Sequence, residues 1–78
     1  MKLRFLESKN PVLLGPHFLE YAGPIWSTDI LESLYVIARA VDPAFNVEVI
    51  VNPKLTWFYD GRCDMETFVK DMWHYVPR

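Results

Sequence analysis

The chain has 78 residues, with eight Lys or Arg against ten Asp or Glu and a formal net charge of −2. That length gives one expected domain, residues 1–78, and 23% charged against 51% hydrophobic residues marks a folding sequence rather than a disordered tail. Cations scattered singly argue against duplex nucleic acid, which calls for a basic stripe, and apolar runs of about five residues argue against a membrane span.

Leu3 and Phe5 alternate with Lys2 and Arg4, the period of a short strand with one wet face. Asn10-Pro11 and Gly15-Pro16 then read as turns. His17 to Tyr21 is a second extended candidate, with Leu19 and Tyr21 on one face and Phe18 and Glu20 on the other. Gly23-Pro24 ends it. Pro11, Pro16 and Pro24 exclude one long helix here, so the segment is expected to be irregular or to carry an edge strand.

Ser27-Thr28-Asp29 offers a hydroxyl cap and an early acid, and predicts a helix to about Val41, before Asp42-Pro43. Ile30, Leu34, Ile37 and Val41 fall on one face, with Leu31, Tyr35 and Ala38 beside it. Asp29, Glu32, Ser33 and Arg39 make a narrow polar stripe. So wide an apolar surface exceeds what one sheet face covers, and a further segment or another chain is expected over it.

Phe45, Val47, Val49 and Val51 alternate with Asn46, Glu48 and Ile50. After Asn52-Pro53-Lys54, Leu55, Trp57 and Tyr59 alternate with Thr56 and Phe58. A three-residue loop would pair Val51 with Leu55, Val49 with Trp57 and Val47 with Tyr59, so that the apolar faces agree in an antiparallel hairpin. Asp64 is placed to cap a last helix. Met65, Phe68, Val69, Met72, Trp73 and Val76 share its apolar side, Glu66 and Lys70 lie opposite, and Pro77 closes it. The expected fold is a small two-layer α+β sandwich in the order β-(β)-α-β-β-α. Three or four antiparallel strands carry both helices on one face.

The catalytic signals are weak. Cys63, the single cysteine, precludes an internal disulfide and fits a reducing compartment. Its place before a helix N-terminus, next to Arg62, would lower a thiol pKa, although a lone cysteine is far more often a packing residue. His17 and His74 have no partner at metal-ligand spacing, and no phosphate-binding loop occurs. No catalytic residue, metal or cofactor is expected. The N-terminal MKLRFLESKNP lacks the features of a signal peptide, and a cytoplasmic protein is expected.

Five Phe, four Tyr and three Trp are a heavy load for a chain that buries only about 63% of its unfolded surface. Trp57 and Tyr59 belong to the core side of their strand. Phe58 points the other way, with Ile50 and Glu48 beside it on the second sheet face. Tyr35, Leu31, Trp26 and Tyr75 complete the candidate contact residues, because they lie off the core stripes or in the unassigned segment. The expected function is a non-enzymatic protein-binding module, working as a homodimer or as an inhibitor or adaptor of a larger protein. Small regulators of this kind include virus-encoded blockers of a host enzyme. The alternative is a single-stranded nucleic-acid binder that stacks bases on sheet aromatics.

Overall fold

The computed structural model describes residues 1–6 and 18–76. The N-terminal alternation forms β1 (Lys2–Phe5), with Leu3 and Phe5 buried. The second extended candidate forms β2 (Phe18–Glu20), a three-residue edge strand. The turn signals at Asn10-Pro11 and Gly15-Pro16, His17 and the closing Pro77 lie outside the described residues.

Helix α1 (Thr28–Val41) starts where the cap motif predicts, with the Ser27 hydroxyl accepting from the Asp29 N–H at 3.2 Å. Asp42 ends it in an extended conformation, as a residue before proline must. Its N–H still closes onto the Ala38 carbonyl at 2.9 Å. Strands β3 (Val47–Asn52) and β4 (Leu55–Tyr59) then form the hairpin, and α2 (Met65–Tyr75) follows the Asp64 cap, whose carboxylate accepts from the Thr67 N–H at 2.8 Å.

The sheet is antiparallel with strand order β2-β1-β3-β4. Two rows line its inner face: Leu19, Leu3, Val49 and Trp57 across four strands, and Phe5, Val47 and Tyr59 across three. Both helices contribute to the core against this face. Leu31, Leu34, Tyr35 and Ala38 come from α1, and Phe68 and Met72 from α2. Tyr35, Phe45, Phe68 and Tyr59 meet as one aromatic cluster, with centroids 4.9 to 6.5 Å apart. Burying each such ring stabilises the fold by roughly 1.5–3 kcal/mol.

Three local expectations are corrected. The hairpin turn is tighter than a three-residue loop: Val47–Tyr59 and Val49–Trp57 pair as expected, but Leu55 sits opposite Asn52. Val51 is the extra residue of a bulge, and the turn itself is Pro53-Lys54. Phe45 does not open the strand. It stands just before β3 at φ 53°, a left-handed conformation that a non-glycine residue adopts at a cost offset here by complete burial of its ring. Finally, α1 is rotated from the expected face. Leu31, Leu34, Tyr35 and Ala38 are buried, while Val36 and Ile37 are exposed.

Candidate functional site

Among the described residues both helices pack against one face of the sheet, and the other face carries mostly exposed or half-buried side chains. Because directly paired residues share a face, the register fixes what this open face presents. One row reads Phe18 (β2), Arg4 (β1), Glu48 (β3), Phe58 (β4). The next reads Glu20, Lys2, Ile50, Thr56 in the same strand order. Each row thus runs across all four strands.

Charge is neutralised within this surface. Arg4 Nε lies 3.0 Å from Glu48 Oε1, and the Glu48 side chain is largely buried by its neighbours. Lys2 Nζ lies 3.6 Å from Glu20 Oε2 and 4.5 Å from the Phe18 ring centre. Outside the pairs stand the two rings, Phe18 at 44% and Phe58 at 64% exposure. Leu6 is also exposed, and with Arg4, Phe5 and Phe18 it lines a shallow hollow of about 340 Å³. Exposed aromatics with an arginine between them are residue types enriched at binding hot spots.

Of the residues expected to make contacts, Phe58, Glu48 and Ile50 come together on this face, with Glu48 directly opposite Phe58. Trp26 is 73% exposed and stands before α1. Tyr75 is half-exposed on α2 and leans on Trp57, with centroids 5.2 Å apart. Leu31 and Tyr35 are corrected outright: both are buried beneath the helix layer. Phe18, Arg4 and Lys2 escaped sequence reasoning as site residues. Their alternation was visible, but the pairing that brings them beside Phe58 is not local.

A second exposed apolar strip lies between the helices, where Val36, Ile37 and Met65 are bordered by Asp29 and Glu32. It holds no aromatic ring, and its charged border is acidic on α1.

The aromatic core is closed by Arg39, expected on a polar stripe and found instead as a clamp. Its guanidinium lies 4.9 Å from the Phe45 ring centre and 5.4 Å from that of Tyr35. Nε donates to Tyr35 Oη, Nη1 to the Pro43 carbonyl, and Nη2 to the Gly61 and Cys63 carbonyls, at 3.0 to 3.1 Å. Tyr35 Oη in turn donates to the Cys63 carbonyl at 2.8 Å. One planar fork therefore ties α1 to both loops beside it.

Cys63 reverses its expected chemistry. The thiol is buried, and its pKa is pushed up to about 11, first by burial and then by the negative charges of Asp64 and Asp71. Arg39 opposes the shift without overcoming it. At neutral pH the group is a protonated thiol, the weaker form for attack. Tyr59, whose hydroxyl donates to Asp71 Oδ2 at 2.9 Å, also has its pKa raised, mainly by burial. His74 is exposed and edge-on to Tyr75. Among the described residues, no three His, Cys, Asp or Glu gather where a metal ion could be held, and no helix is long and apolar enough to cross a membrane.

No family model, curated protein or solved structure matches the chain.

Proposed function

We propose that the chain is a non-enzymatic protein-binding module that docks through the open face of its sheet. It works as a homodimer or as an inhibitor or adaptor of a larger protein, in the manner of a small cytoplasmic regulator. The observation that carries this reading is the row Phe18, Arg4, Glu48, Phe58, with two exposed rings around an ion pair already formed. Charges matched before the partner arrives lower the cost of desolvating this surface without removing it.

The same pairing argues against single-stranded nucleic acid. Stacking on Phe18 and Phe58 needs a cationic track for the phosphates, and here Lys2 and Arg4 each face a carboxylate at 3.6 and 3.0 Å. A polythymidine oligonucleotide should give no anisotropy change at low salt, where phosphate contacts are strongest.

The protein-binding reading is tested by capture from the native source, with the wild-type chain and Phe58→Ser as parallel baits. A partner, a second copy of this chain included, should be held in stoichiometric amount by the wild type and lost with Phe58→Ser. Equal retention by both baits would place the contact elsewhere.

A further inference from the structure

We infer that the partner seated on the open sheet face is a second copy of this chain, related by a two-fold axis that runs parallel to the strands between β1 and β3. This inference rests on the protein-binding reading and names its occupant. It follows from the charge pattern and from the even strand order β2-β1-β3-β4.

A two-fold axis along the strands lays β1 of one copy over β3 of the other, and β2 over β4. The register then fixes every facing pair. Phe18 meets Phe58 of the second copy, and Arg4 meets Glu48, each twice by symmetry. In the neighbouring row, Lys2 lies over Ile50 and Glu20 over Thr56. No like charges face each other. The alternative axis, across the strands, would place Arg4 over Lys2 of the second copy, and like charges in apposition are strongly unfavourable. Charge therefore selects one axis.

The size of the face sets the strength of the contact. Four strands spaced about 4.8 Å apart, the longest rising about 3.3 Å per residue, give a patch roughly 19 Å by 20 Å. That is about 380 Å² per copy, below the roughly 600 Å² per partner of stable specific interfaces and in the range of weak, transient contacts. The dimer is thus reversible and concentration-dependent, with sheets about 10 Å apart, a gap that Phe and Arg side chains span.

Charge reversal tests the arrangement because Arg4 and Glu48 are paired both within one chain and across the axis. The double variant Arg4→Glu/Glu48→Arg keeps both kinds of pair in its own dimer. A mixed dimer of this variant with the wild type would face Arg4 with Arg and Glu48 with Glu. Light scattering should show dimers for the wild type and for the double variant. Native mass spectrometry of their mixture should show the mixed dimer about tenfold or more below its statistical share. The single variants Arg4→Glu and Glu48→Arg should each dimerise about tenfold more weakly alone and recover when mixed with each other. Circular dichroism checks their folding, and the double variant carries the test if a single one fails to fold.

Free mixing of wild type and double variant would overturn the proposal by moving the dimer contact to another face. A wild-type protein that stays monomeric up to about 2 mM would also overturn it, since even a dimer of millimolar affinity is substantially populated there. The wider protein-binding reading would survive that result if the Phe58-dependent capture succeeds, and would fall only if the capture fails as well.

Discussion

Arg39 shows how one side chain ends up doing what composition assigned to the surface. Its four hydrogen bonds reach Tyr35, Pro43, Gly61 and Cys63, and its plane covers the rings of Tyr35 and Phe45. Lysine cannot reproduce a planar fork with several fixed donors. Arg39→Lys should therefore cost nearly as much as Arg39→Ala, about 1–2 kcal/mol in urea unfolding, since either change breaks the fork's hydrogen bonds and uncovers the two rings. Gly61 belongs to the same corner: a Cβ there would stand 2.9 Å from the Ala44 carbonyl oxygen, so Gly61→Ala must push two backbone segments apart. Cys63 adds a pH signature. Its folded pKa of about 11 lies above the unfolded value near 9.0. The unfolded chain thus releases this proton first, and the contribution to stability is intact below pH 9 and lost as pH rises towards 11. Between pH 8 and 10.5 the wild type should lose about 2 kcal/mol more than Cys63→Ala, read by urea titration at both pH values. Tyr59 is also raised, in small part by Cys63 itself, so the comparison reads the thiol together with its effect on Tyr59.

At the scale of elements, local chemistry explains where the chain could be read and where it could not. Ser27 and Asp64 cap the helices as their side chains predict, because a cap depends on neighbours only two or three residues away. Ser27→Ala should cost about 1 kcal/mol in thermal or urea unfolding, the loss of one satisfied N–H. The hairpin register was legible because Val47, Val49, Trp57 and Tyr59 must share a buried side. The bulge at Val51 was not, because two turn lengths satisfy the same alternation. The rotation of α1 was also hidden. Its sequence supports an apolar side centred on Leu34 and Ile37 or one centred on Leu31 and Tyr35. What decides is distant: the Tyr35 hydroxyl finds the Cys63 carbonyl and its ring finds Phe45 and Phe68. The partial exposure of Val36 and Ile37 is the consequence.

At the scale of the whole molecule, the surplus of aromatics divides between a closed cluster and an open face. Phe58, Ile50 and Glu48 were legible as part of that face from strand alternation alone. Phe18, Arg4 and Lys2 were not, because their place beside Phe58 depends on β1 entering the sheet between β2 and β3. Two exposed apolar surfaces then compete for a partner: the sheet face and the strip of Val36, Ile37 and Met65. They can be separated because neither contributes much to the core. With its ring 64% exposed, Phe58 adds little to folding, so Phe58→Ser should change unfolding free energy by about 0.5 kcal/mol or less. Ile37→Ser should behave likewise. Their effects on association should differ. Phe58 lies on the edge strand β4 but presents an exposed ring, and truncating such an aromatic typically costs more than about 1 kcal/mol, so Phe58→Ser should weaken binding about tenfold. Ile37→Ser should leave it within a factor of about two, the range of a residue outside the contact. Titration calorimetry, or dilution calorimetry for self-association, measures both on folded proteins of matched stability. The opposite ranking, with Ile37 critical and Phe58 silent, would transfer the binding surface to the helices, where the acidic border of Asp29 and Glu32 would call for a basic partner.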